Sequence, residues 1–156
     1  PSSQLARFLI RLSMGYPDHK SQINILRDRH SENPLDRVQP VVTKDELLEL
    51  VRETRNVEAN DRIFDYVTTL AEATRTHPMV ELGVSPRGAL ALCRMAKAHA
   101  FLAGRDFVVP EDVAAVFPDV CAHRLILSAK ARMMEEKAEN ILSEILKSVD
   151  MPVLKA

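Results

Sequence analysis

Tryptophan is absent, and aromatic residues make up only 4% of the 156 positions. A core built on large rings is therefore not expected. Alanine and leucine are prominent within a 46% hydrophobic composition, which suits closely packed helices instead. Glycine occurs four times, and β-branched runs are scarce beyond the opening stretch, so an extensive sheet is excluded. Neither sign of charge is in excess: the formal net charge is -1, whereas a general nucleic-acid binder shows a basic surplus. No apolar run reaches the roughly 18 residues of a membrane span, and no signal peptide is visible. The two cysteines, Cys93 and Cys121, lie in apolar helical stretches. They read as buried, reduced thiols of a cytoplasmic protein rather than as a disulfide or a metal site.

The usual catalytic signatures are missing as well. GxxxxGK[ST], HExxH, CxxC and GxSxG do not occur. Without the first of these, the chain has no phosphate cradle of its own. The histidines (His19, His30, His77, His99 and His123) are scattered, with none paired at i, i+4, so no metal site is expected. Glu135-Glu136 and Asp45-Glu46 read as charged helix faces. The chain opens P-S-S-Q-L without an initiator Met, which leads us to expect a piece processed or cut from a longer protein.

What is present centres on Gly83 to Leu92, G-V-S-P-R-G-A-L-A-L. Ser85 is a good N-cap, since its hydroxyl can accept from a first-turn N–H. Pro86 follows at the first helical position, where its missing N–H costs nothing. Arg87 then breaks a local rule: a cation at the positive end of a helix dipole is disfavoured by up to about 1 kcal/mol. A residue that breaks such a rule without visible gain is a candidate for function. A helix start attracts anions, and arginine adds a planar, permanently charged fork that suits phosphate. The competing readings of Arg87 are a nearby carboxylate partner or plain solvent.

Along the chain, Phe8, Ile10, Leu12 and Met14 alternate with more polar neighbours, which predicts a strand over 8–14. No comparable strand accompanies it, so its partners are expected upstream of Pro1. Asp18 caps a predicted helix to about His30, with Ile23 and Leu26 facing inward. Ser31 to Pro40 reads as a linker and candidate domain boundary. Thr43 and Glu46 form a capping box that starts a helix with Leu47, Leu48 and Val51 as its apolar stripe. Asn60 or Asp61 caps the next helix, with Ile63, Phe64, Val67, Leu70, Ala71 and Thr74 at helical spacing and Pro78 as its stop. The helix from Pro86 to about Ala103 is apolar nearly all round, hence central, and Gly104 ends it. Pro110-Glu111-Asp112 starts a short helix that Pro118 closes. The link His123 to Leu127 is a candidate to pair with the segment near Val57. An amphipathic helix is expected from about Lys130 to Val149.

These residues fit a mostly α protein. L-G-V-S-P-R-G-A-L-A-L, followed by A-G-R-D-F-V-V-P-E-D-V and H-R-L-I-L-S, resembles the C-terminal lid of MoxR-type AAA+ ATPases. The opening P-S-S-Q-L-A-R-F-L-I-R-L-S-M-G-Y-P resembles the end of the α/β ATPase core of the same family. The resemblance implies that residues 1–40 are the end of that core plus a linker, and that 41–156 form the helical lid. It implies a parent ATP hydrolase assembled as a hexameric ring, with ATP and Mg2+ bound by motifs upstream of Pro1 and none bound by this chain alone. Arg87 matches the family's sensor-2 arginine, which contacts the terminal phosphates in its own subunit. Arg7 matches the arginine finger, which reaches the γ-phosphate of the neighbouring subunit. The family usually has D-R-F where this chain has Ala6-Arg7-Phe8, so the acid that in the family orients the arginine or contacts the next subunit is absent here. Family members are chaperone-like motors that mature metalloenzymes or other complexes, often beside von Willebrand factor A domain partners. Two other functional classes are open on residues alone. One is a helical adaptor docking through its last helix and Met133-Met134. The other is a helix-turn-helix nucleic-acid module over Ser85–Ala103, which the near-neutral charge opposes.

Overall fold

A computed structural model describes residues 2–5, 7–28 and 33–153. Ala6, His30 and the start of the predicted linker at Ser31 lie outside the described residues. The elements are α1 (Ser2–Leu5), α2 (His19–Asp28), α3 (Lys44–Asn56), α4 (Asp61–Thr76), β1 (Val80–Leu82), α5 (Pro86–Leu102), α6 (Pro110–Cys121), β2 (Ile126–Leu127), α7 (Ala129–Met133) and α8 (Ala138–Ser148). Short 3-10 turns cover Pro34–Arg37 and Ala122–Arg124. The protein is mostly helical, as its composition requires.

The chain divides into two compact units, one of Leu12–Leu50 and one of the residues up to Arg11 together with those from Val51 onward. In the smaller unit the caps form as expected. Asp18 Oδ1 accepts from Ser21 N at 2.7 Å, and Thr43 and Glu46 exchange the two bonds of a capping box at 2.7 and 3.2 Å. The inward face assigned to α2 is not buried, however: Ile23 is 42% and Leu26 75% exposed. Leu47 and Leu48 of α3 are exposed too. The periodicity is amphipathic, but no described element of that unit covers it.

The larger unit holds the core. α5 packs against α6 and α4, and α8 closes over α4 and α6. Ile63, Leu70, Leu92, Phe117, Val120 and Leu142 are wholly buried. Ala91, Ala96 and Ala100 line the buried face of α5, and their small side chains let its neighbours approach. α5 is central, yet Leu90 and Leu102 remain outside the core at 60% and 85% exposure.

Four local expectations are corrected. No strand forms over Phe8–Met14. A strand needs ladder partners for its backbone groups, and none is present among the described residues. Phe8 N instead donates to Leu5 O at 3.1 Å, and Arg11 N to Asp119 O at 2.9 Å. β2 pairs antiparallel with β1, not with the Val57 segment. The backbone beside Val57 bridges Phe107 instead, with Glu58 N donating to Asp106 O (2.7 Å) and Val108 N to Glu58 O (2.9 Å). Pro118 does not close its helix; it lies inside α6, which runs on to Cys121. Burial of Phe117, Val120 and Cys121 outweighs the one bond a proline removes. The long final helix is broken into α7 and α8 at Glu135, whose φ of 54° takes the chain through the left-handed region.

One buried ionic cluster fixes the α5–α6 connection. Asp112 is 1% exposed and accepts from Arg105 through both oxygens (2.5 and 2.7 Å), from Val109 N (2.8 Å), and pairs with His99 Nδ1 (2.7 Å). Burial pushes this carboxyl up, but the bonds from Arg105, Val109 and His99 outweigh it and hold it below the ordinary aspartate range. Asp112→Ala leaves these donors without their acceptor. Arg105 is partly exposed and can rehydrate, so the cost is about 2 kcal/mol rather than the 3–5 of a fully buried broken pair. Because the folded pKa is depressed, Asp112's contribution is complete above the ordinary carboxylate pKa and drains as pH falls through the lowered folded value. Urea unfolding is therefore expected to show a clear gap between wild type and Asp112→Ala at neutral pH, narrowing in acid. A gap that is constant with pH contradicts the ionic assignment.

Candidate functional site

The start of α5 is held from two sides of one residue. Thr74, fully buried on α4, donates to Ala71 O (2.6 Å) and accepts from Val84 N (2.8 Å). Arg75 Nε donates to Val84 O at 2.8 Å. Both backbone groups of Val84 are thus tied to α4. Gly83 makes this approach possible: a Cβ there would lie 2.7 Å from Arg75 N and from Thr74 Oγ1, closer than side chains tolerate. Ser85 Oγ accepts from Gly88 N at 3.3 Å and Pro86 occupies the first turn, as the sequence predicts.

Arg87 projects from this fixed start. It is exposed, and no carboxylate pairs with it among the described residues. A second guanidinium lies close by. Arg124 is held below the usual arginine range, first by burial and also by the positive charge of Arg87. The helix start and two neighbouring arginines together make a positive locus, which favours an oxyanion.

Arg7 stands elsewhere. It follows α1 in a turn, with its N–H donating to Gln4 O at 3.0 Å, and it is exposed. The structure brings Arg7 and Arg87 into no recorded contact. What connects their surroundings is a pair that residue-by-residue reading passed over, His123 and Arg124. Arg124 Nε donates to Val120 O (2.8 Å), and its Nη2 reaches Phe8 O (2.8 Å) and Leu9 O (3.3 Å). His123 Nε2 lies 3.1 Å from the same Phe8 carbonyl. A carbonyl only accepts, so Nε2 carries the proton. His123 is 8% exposed, and its Nδ1 has no hydrogen-bond partner. Burial, with the nearby charges of Arg124 and Arg11, lowers its pKa and keeps the ring neutral. In sequence these two residues open the H-R-L-I-L-S block that carries the lid resemblance.

The thiols take no part. Burial pushes Cys121 up to about 12, while Cys93 is only partly buried and is also raised. Among the described residues no group of three or more His, Cys, Asp or Glu side chains comes together. No described helix is long and apolar enough to cross a membrane.

Comparison with known proteins bears on the family. Residues 72–145, which span the end of α4 through most of α8, match the AAA lid domain family. All of the chain aligns with YeaC of Bacillus subtilis at 39% identity, covering 49% of that protein. All of it also aligns with the chaperone MoxR1 of Mycobacterium tuberculosis at 30% identity, covering 43%. The chain is homologous to the MoxR-type AAA+ proteins. It spans about half the length of these relatives. A solved structure from Cytophaga hutchinsonii that carries a provisional ATPase name superposes over 98% of the chain with a TM-score of 0.88 at 31% identity, and the chain covers 49% of it. The AAA lid match includes Arg87 and Arg124, whereas Arg7 lies outside it and inside the full-length alignments.

Proposed function

We propose that this chain is the lid half of a MoxR-type AAA+ ATPase whose hydrolysis drives chaperone-like maturation or remodelling of protein complexes. One observation carries the reading: an exposed arginine with no carboxylate partner among the described residues, on a helix start that Gly83, Thr74 and Arg75 hold in place. In this proposal Arg87 is the sensor-2 residue, touching the terminal phosphates of ATP bound by the upstream core of its own subunit. Arg7 is the arginine finger, acting on ATP in the neighbouring subunit of a cytoplasmic, hexameric ring. The separate settings of Arg7 and Arg87 suit that division of labour. Among the described residues no carboxylate cluster offers a magnesium site, and in this proposal Mg2+ is held by the upstream half. A von Willebrand factor A domain protein is the proposed partner, and the chain by itself is inactive.

The chemistry asked of the two arginines is electrostatic. Both present fixed positive charge to phosphate oxygens, and the finger's contribution grows as charge develops on the transferred group. ATP turnover of the full-length protein and its arginine variants, measured on assembled rings, tests the proposal. The adaptor reading loses its docking helix, because Ile141, Leu142 and Ile145 of α8 are already buried in the core. Met133 and Met134 stay exposed, but on the break between helices.

A further inference from the structure

We infer that Arg124, assisted by His123, is a positioning residue that couples the Arg87 end of α5 to the segment carrying Arg7. The inference rests on the assignments of Arg7 and Arg87 proposed above. Arg124 touches both sides of the problem. Its guanidinium holds the carbonyls of Phe8 and Leu9, the two residues immediately after Arg7. Its stem lies against Gly88, the residue immediately after Arg87: a Cβ on Gly88 would sit 3.2 Å from Arg124 Cδ. Val84 Cγ1 would be closer still, at 2.7 Å, so the glycine is required by Val84 and leaves room for the Arg124 stem beside it. Nε anchors the same group to Val120 O at the end of α6, so the fork is braced rather than free to swing.

The tether on the other side is polar. Phe8 and Leu9 are 66% and 44% exposed, so burial does little to place them. Their backbone is placed by bonds: Phe8 O accepts from both Arg124 and His123, and Arg11 N is tied to Asp119 O. A carbonyl has two lone pairs, and Phe8 O uses both on the lid. Arg11 adds an ion pair to Glu139 of α8. A shift of the α5 start on engaging phosphate is therefore passed through the Arg124 stem and fork to the residues flanking Arg7. A contiguous, braced contact chain of this kind is a physical route for coupling two sites. Lysine cannot replace the fork, because it offers a point charge instead of a planar set of donors.

The test compares Arg124→Gln and Arg124→Lys with Arg7→Ala and Arg87→Ala in the full-length protein, reading assembly, KM for ATP, kcat, and turnover when mixed with wild-type subunits. The coupling predicts that Arg124→Gln assembles and loses kcat by at least about fivefold, a larger change than in KM. It also predicts that Arg124→Gln subunits depress turnover at wild-type neighbours, as Arg7→Ala subunits do. Arg124→Lys leaves most of the kcat loss in place. Unchanged kcat in Arg124→Gln overturns the inference, and full rescue by lysine overturns it too, by showing that charge beside Arg87 is all that matters. If Arg124→Gln does not fold, Arg124→Lys is read by the same criterion, and failure of both to fold makes Arg124 a stability residue and overturns the inference. If Arg7→Ala and Arg87→Ala leave turnover unchanged in the same assay, the functional reading itself fails. If they abolish it while Arg124→Gln does not, only the coupling fails.

Discussion

Replacing Arg87 by alanine in the full-length protein is expected to lower ATP turnover by at least about tenfold, a loss of roughly 1.4 kcal/mol of transition-state stabilisation. The expectation follows from where the side chain stands. Arg87 sits at the positive end of a 17-residue helix, where its own charge is locally unfavourable. It has no carboxylate partner among the described residues to offset that, and Arg124 adds a second positive charge nearby. An arrangement that disfavours itself in isolation becomes favourable when an oxyanion is bound. The side chain carries no core packing, so the variant should fold and assemble as wild type does. Unchanged turnover in a properly assembled ring removes the sensor-2 role and returns Arg87 to the status of a solvent-exposed cation.

Arg7→Ala is expected to have the larger effect, about a thousandfold on kcat, which is the lower end of what arginine fingers contribute. Its signature is the location of the loss. A finger acts on the nucleotide of the next subunit, so mixing variant and wild-type subunits should depress turnover at wild-type sites that face a variant neighbour. Turnover that falls only in proportion to the variant fraction contradicts action in trans. The family's acid before the finger is Ala6 here, so another element must fix the arginine. The bonds that Arg124 and His123 make to Phe8 O supply fixation one residue later in the chain.

The start of α5 was legible because every one of its determinants is local. Ser85, Pro86 and Gly104 act through backbone groups within a turn of themselves, and the structure realises all three roles. The capping box at Thr43 and the cap at Asn60 were readable for the same reason. Features that depend on distant partners were not. Nothing near Gly83 in sequence announces that Thr74 and Arg75 will close on Val84, and nothing near Arg124 announces Phe8, more than a hundred positions away. The predicted strand at Phe8–Met14 shows the converse: a period of two was present, but a strand is made by its neighbours. The break at Glu135 was hidden because the apolar spacing continues across it, and only the backbone angle shows the chain turning. Of the site, Arg7 and Arg87 came from the family resemblance and the rule-breaking position of Arg87, while Arg124 and His123 needed coordinates.

The central claim is that this chain closes over a nucleotide held by residues that precede it. The most direct test is the coding sequence upstream of Pro1, with the mass of the native protein to confirm that both parts remain joined. The account predicts a GxxxxGK[ST] loop followed by an acidic Walker B strand, within the half of YeaC-like proteins that this chain does not cover. A start codon directly before Pro1, with no such loop and a native mass equal to that of this chain, would contradict it. Arg87 would then require an anion supplied by a different partner.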